Sequence, residues 1–221
     1  MKIWFEHPYG RMDYYNMQWC KVFAKVEPEE QEQALAQGFI DLCDPWKQVR
    51  SSRINIKNYI KETKPVKTPK GVTVEKWSGS FGVKHKDLLD GIMDDKETFY
   101  CYYDADKIVA WSVWSKYGHS VDNWQFAWDY GDPSLRLGTY SLDHEIRIAH
   151  EKKYNWFYLG ESYATSSAYK SKIAGFEWWT GKEWSTDMGL FDQHLKADEF
   201  VETLEDLQSV HDSIYGLHKP N

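Results

Sequence analysis

The sequence predicts a mixed α/β fold, with a mainly antiparallel sheet flanked by helices and a small N-terminal lobe. Three observations lead there. Aromatic and β-branched runs at 98–103, 108–114 and 123–128 follow one another with only short turn sequences between them, as in an antiparallel meander. The next segment has helical period, with Leu142, Ile146 and Ala149 on one face, and a short apolar run of the buried-strand type comes after it. Of 221 residues, 42% are hydrophobic, enough core for one domain or two small lobes.

Taken in order, MKIWF at the start reads as a short strand. Residues 28–37 read as a helix, with Pro28 at its start and Gly38 just past its end. Residues 52–60, SRINIKNYI, alternate as a strand does. These elements make a lobe over 1–60. The stretch 61–71, KETKPVKTPKG, carries two prolines and a glycine and reads as a linker, leaving 72–221 as the main domain. There, 72–77 is a strand and 86–95 a short helix. The meander turns at Asp104–Lys107 and near Gly118, and 137–152 is a helix. Residues 155–159 are a strand, 177–184 a hairpin around Thr180-Gly181, and 191–215 one or two acidic amphipathic helices. Meander, helix, strand and further strand is the order of an acyltransferase of the GNAT type.

Composition excludes several classes. Three cysteines without CxxC or CxxxC spacing provide neither a disulfide framework nor a cysteine-rich metal centre, which points to a reducing, cytoplasmic setting. The first fifteen residues hold no apolar run, and eighteen consecutive apolar residues occur nowhere, so neither a secretion signal nor a membrane span is expected. A net charge of −7 speaks against a nucleic-acid partner until its distribution is read. Residues 47–86 hold eleven Lys or Arg against two acids, a balance of +9, and residues 187–212 hold eight acids against one lysine, a balance of −7. The basic run is a solvated face or a phosphate-binding strip.

Residues 126–146, FAWDYGDPSLRLGTYSLDHEI, then FYLG at 157–160 and AYKSK at 168–172, closely resemble the C-terminal domain of arginyl-tRNA–protein transferases. Gly138-Thr-Tyr-Ser141 followed by Glu145-Ile146 is the most specific part. Residues 48–54, QVRSSRI, resemble the family's basic segment more weakly. Three departures stand out. The four N-terminal cysteines that hold an iron–sulfur cluster in eukaryotic members have no counterpart, so no cluster and no other cofactor or metal is expected. The segment 161–168, ESYATSSA, is two residues shorter than in the family and lacks its Cys and Lys-Met. Arg136 replaces the first serine of the family motif.

The resemblance implies aminoacyl transfer from tRNA to an amine of a protein or peptide, with arginyl-tRNA the first expectation. Such a reaction must position an ester that is already activated, take a proton from the attacking ammonium and stabilise an oxyanion. Asp129 could orient or deprotonate the amine, or simply shape a turn. Gly138 could open the helix start to the substrate, or be a packing glycine. Tyr140 and Ser141 could donate to an oxyanion, or fill the core and cap a turn. The resemblance also implies substrate contacts at Thr139, Glu145, Glu161 and Tyr169, with Glu145 as a partner for a cationic side chain or a plain salt-bridging residue. His144 reads as a partly exposed helix residue. It further implies phosphate contacts at Lys170 and Lys172, and more weakly at Arg50 and Arg53. Aromatic residues such as Phe126 and Trp128 are core, or stack on the unpaired 3′ end of tRNA. Two other functions compete. An acetyl-CoA-dependent enzyme would need a glycine-rich pyrophosphate loop, for which Arg136-Leu-Gly-Thr-Tyr has a single glycine at the wrong spacing. The other is a non-catalytic relative that only binds tRNA or a partner.

Overall fold

The computed structural model of the protein describes residues 1–6, 21–42, 45–77, 98–129, 131–201 and positions 203, 205, 206 and 209. The chain divides into two compact units, one formed by residues 1–55 and 159–221, the other by residues 56–158. The reading from sequence places a linker at 61–71, between 1–60 and 72–221. Residues 63–70 lack helix and strand, but they are fastened to a helix of the second unit rather than spanning open space.

The second unit opens with the helix Ile56–Glu62, α2 in chain order. Here the expected strand 52–60 is corrected. Strand β5 is Ser51–Asn55, and the chain then turns helical because Ile56 and Tyr59, three apart, bury one face while the Tyr59 hydroxyl donates to Asp143 at 2.8 Å. Strands β6 (Val72–Trp77), β7 (Thr98–Asp104), β8 (Lys107–Tyr117) and β9 (Ser120–Trp128) form the expected antiparallel meander. Ala105 and Gly118, at φ 51° and 55°, make its two tight turns. Helix α3 (Leu137–Glu151) follows, and β10 (Trp156–Glu161) begins by pairing parallel with β9, Trp156 opposite Ser120. Meander, helix and parallel strand is the GNAT-type order that the sequence predicts. The predicted helix at 86–95 lies outside the described residues.

In the first unit, β1 (Lys2–Glu6), β2 (Lys21–Lys25), β3 (Phe39–Ile40) and β4 (Trp46–Gln48) form an antiparallel sheet in the order β1-β2-β4-β3. A 3₁₀ turn at Pro28–Glu30 leads into α1 (Gln31–Ala36). The hairpin of β11 (Phe176–Trp179) and β12 (Trp184–Ser185) turns at Gly181, and β11 pairs antiparallel with β5. Asp187 caps α4 (Met188–Asp198) by accepting from the Leu190 N–H, so the predicted acidic helix begins earlier than expected, and most of the predicted span from 202 to 215 lies outside the described residues.

Gly38 ends α1 at φ 77°, and a Cβ there would overlap the Trp179 indole. Backbone strain and overpacking then act together, so Gly38→Ala should lose about 2–5 kcal/mol. Urea unfolding of the variant checks this. A change under 0.5 kcal/mol would show that the indole moves aside freely.

Candidate active site

Six of the predicted site residues lie in the second unit, five of them on α3. The chain enters α3 through a 3₁₀ turn, Pro133–Leu135, in which Asp132 accepts from the Ser134 N–H at 2.9 Å. Arg136 then takes the left-handed conformation, φ 47° and ψ 40°, and its carbonyl accepts from Thr139 and Tyr140. A non-glycine residue in this region carries strain. The first turn is Leu137-Gly138-Thr139. A Cβ built on Gly138 meets nothing within 4 Å, and Gly138 does not have a positive φ. This glycine therefore serves neither packing nor backbone strain. It leaves bare the N-terminal turn of a fifteen-residue helix, where free N–H groups and the helix dipole favour negative charge.

Behind that turn lies Glu145, fully buried. One carboxylate oxygen accepts from Tyr102 Oη at 2.6 Å and Ser112 Oγ at 2.8 Å, and the other from Trp114 Nε1 at 2.6 Å and Asn123 Nδ2 at 2.9 Å. All four donors come from β7, β8 and β9. Burial pushes the carboxyl up to about 7, against the downward pull of its donors. Glu145, expected at the substrate, instead has its lone pairs taken by the meander. Its neighbour Asp143 is buried on another face of α3 and accepts from Tyr59, from the Val66 N–H at 2.9 Å and from Arg147 at 3.0 Å. The two carboxylates tie α3 to the meander and to the 63–70 segment.

Tyr140 is buried, reaches Thr68 Oγ1 at 3.3 Å, and stacks on the half-buried His144 with ring centroids 5.6 Å apart. Ser141 is buried and donates back to the Gly138 carbonyl at 3.4 Å. Thr139 is exposed. Asp129, beyond β9, is partly exposed, accepts from Lys107 Nζ at 2.5 Å and from the Gly131 N–H at 2.8 Å, and is held below the usual carboxylate range chiefly by the lysine. It is an anion at neutral pH. Phe126 and Trp128 stack at 5.1 Å, Trp128 being 39% exposed.

The other six predicted residues lie in the first unit. Arg50 is fully buried, pairs with Asp198 and lies 5.3 Å from the Tyr163 ring centroid. Its charge, after burial, helps push His194 down to about 4, while burial raises Asp198 to about 6 despite the arginine. Arg53 pairs with Glu177 at 2.7 Å and lies over the Trp184 ring at 3.9 Å. Lys170 is buried, donating to the carbonyls of Leu159 and Glu161 at 2.9 Å and to Ser162. These three expected phosphate contacts are turned inward, where their charges hold strands, hairpin and helix together. Lys172 and Tyr169 are exposed, Tyr169 by 60%, and Glu161 is half-buried at the end of β10. Sequence reasoning missed Asp143, Tyr102, Ser112, Trp114 and Asn123. The alternation of Ser112 and Trp114 on β8 was the available signal. Among the described residues, no group of His, Cys, Asp and Glu is arranged to hold a metal ion, and no helix is long and apolar enough to cross a membrane.

A GNAT-type sheet with a bare helix start beside the meander defines an acyltransferase-like domain. The sequence pattern of the arginine-tRNA-protein transferase C terminus matches residues 30–179, and the chain belongs to that family. No curated protein matches the chain in sequence. Similar solved structures include a GCN5-related N-acetyltransferase from Kribbella flavida, at 10% identity and TM-score 0.39, over 59% of this chain and 53% of that one. The C-terminal domain of a candidate lysylphosphatidylglycerol synthetase from Agrobacterium fabrum is similar at 10% identity and TM-score 0.42, over 86% and 63%. L-PGS from Bacillus licheniformis is similar at 12% and 0.38, over 67% and 68%. The chain thus spans between half and two thirds of the length of the first two.

Glu145→Gln can keep all four hydrogen bonds, its amide nitrogen donating to the Tyr102 and Ser112 hydroxyls and its oxygen accepting from Trp114 and Asn123. Glu145→Ala leaves a cavity and stranded donors and should cost about 3 kcal/mol or more. Because the folded carboxyl holds its proton up to about 7 whereas the unfolded one releases it near 4.5, this group stabilises least above pH 7. Stability relative to Glu145→Gln should therefore fall as pH rises from 4.5 to 7 and stay flat above. Thermal melts of both proteins across pH 4–8 measure it, and parallel profiles would refute the shift.

Proposed function

We propose that the protein transfers an amino acid, arginine first, from aminoacyl-tRNA to an amine of a protein or peptide, foremost its N-terminus. One observation carries the reading. The densest stretch of the family motif, Gly138 to Glu145, makes both an open first turn of α3 and the buried carboxylate that holds this turn to the meander.

In the reaction, the amine nitrogen bonds to the ester carbonyl carbon, and the resulting oxyanion collapses. The bond from carbon to the ribose oxygen breaks, the ammonium proton is lost, and the ribose leaves as a hydroxyl. The N–H groups of Leu137 and Gly138, at the start of α3, would face the negative oxygen, where preorganised donors lower the barrier most. Tyr140 and Ser141 would supply hydroxyl donors after small side-chain rotations. Asp129, ionised beside Lys107, is suited to hold and orient the ammonium, and its lowered basicity makes it a poor final proton acceptor. Within the first unit, taken by itself, the family pattern supports Tyr169 and Glu161 as substrate contacts and Lys172 as a phosphate contact. A cytoplasmic setting, where charged tRNA is found, belongs to the same reading.

The test is incubation with radiolabelled arginyl-tRNA, other charged tRNAs and a peptide panel. Label should move to peptide, and Gly138→Leu should lower transfer at least tenfold while stability stays within about 0.5 kcal/mol, because the side chain enters open space. Acetyl transfer from acetyl-CoA with no aminoacyl transfer would overturn the reading.

A further inference from the structure

Three lysines gather in the second unit. In β6, Lys76 stands across from Tyr100 of β7, and Tyr100 across from Ser112 of β8, so all three share one face of the sheet. Ser112, Trp114 and Lys116 alternate along β8 onto the same face, the one on which Glu145 of α3 receives Ser112 and Trp114. Lys152 follows the last residue of α3, its N–H bonded to the Ile148 carbonyl. The turn it begins is fixed to the β8–β9 hairpin, since the Asn155 N–H donates to the His119 carbonyl at 2.8 Å. Lys116 and Lys152 thereby stand near the end of α3, and Lys76, on the same sheet face level with Ser112, is close enough for its charge to act on Lys116.

All three are exposed, and none forms an ion pair among the described residues. Glu151 precedes Lys152 in the chain but pairs with none of them. Partial burial, and then the charges of Lys76 and Lys152, hold Lys116 below the usual lysine range. Such unrelieved repulsion within a chain of net charge −7 is a local concentration of positive potential. A fifteen-residue helix is about 22 Å long, so Lys152 lies roughly that far from the open first turn.

We propose that Lys76, Lys116 and Lys152 bind the phosphate backbone of double-stranded RNA, the paired stem behind the 3′ end of the donor. This rests on the proposed function: with the charged 3′ end at the first turn, the stem continues away from it, and phosphates are the groups that neutralise three clustered ammonium ions. Each neutralised phosphate releases counterions, so binding is salt-dependent.

The experiment measures affinity for a tRNA acceptor-stem microhelix against salt concentration, for the full-length protein and a Lys76→Ala, Lys116→Ala, Lys152→Ala variant. A second variant, Lys2→Ala, Lys25→Ala, Lys182→Ala, removes the same charge from exposed positions of the first unit. The slope of log affinity against log salt should become shallower by about 2–3 in the first variant and stay unchanged in the second. Transfer from full-length charged tRNA should fall at least tenfold in the first variant, while transfer from a charged 3′-terminal trinucleotide should be unaffected. Equal slopes for the first variant and the unmodified protein, or equal losses in both variants, overturn the inference and leave the proposed function standing. Transfer from no charged tRNA by the unmodified protein overturns the proposed function. Absence of microhelix binding by that protein overturns the stem site in any case.

Discussion

A single carboxylate organises the second unit. Glu145 is fully buried and receives four hydrogen bonds from three successive strands, so it sets both the height and the rotation of α3 on the meander. A buried carboxylate with no donors would cost several kcal/mol, and one with all lone pairs filled becomes a rigid, directional joint. Asp143 makes the second joint, to α2 and the 63–70 segment. Between them the helix has little freedom to rotate or slide, and its first turn inherits that rigidity. The strained Arg136 and the bare Gly138 are held in place by these two anchors. Precise placement of such a turn is what acyl transfer from an already activated ester demands.

The first unit uses charge in a similar way. Arg50 with Asp198, Arg53 with Glu177 and Trp184, and Lys170 with two carbonyls turn two cations of the predicted phosphate strip and a third from the 168–172 segment into internal fasteners. Long cationic side chains suit this role, because an apolar stem packs while the charged end finds oxygen. The basic run from 47 to 86 is therefore not one continuous face. The lysines that remain available in the second unit are drawn from strands and a turn far apart in the sequence.

Much of the fold was legible in the sequence because its signals are local. The meander, its turns at Ala105 and Gly118, helix α3 and the hairpin at Gly181 each rest on periodicity or on turn residues within ten positions. Strand β5 stops short at Asn55 because Tyr59 gains a buried partner 84 residues away, which no local pattern records. The family motif marks one segment, and the structure divides its residues between open and buried positions. The space beside Gly138 is open. Glu145 differs, since a glutamate on a helix looks solvent-facing until the serine, tryptophan, tyrosine and asparagine that surround it are brought together by strand pairing. Arg50 and Lys170 were legible as cations, and their burial was not.

The account depends most on Glu145 being a buried acceptor of hydrogen bonds from the meander, and the indole N–H of Trp114 reports on it directly. Hydrogen exchange and ¹⁵N chemical shift of that group, followed by NMR from pH 5 to 8, should give the slowest-exchanging indole in the protein and a shift that inflects near pH 7. Exchange as rapid as that of the exposed Trp128 indole, or a shift that does not change across this range, would contradict the account.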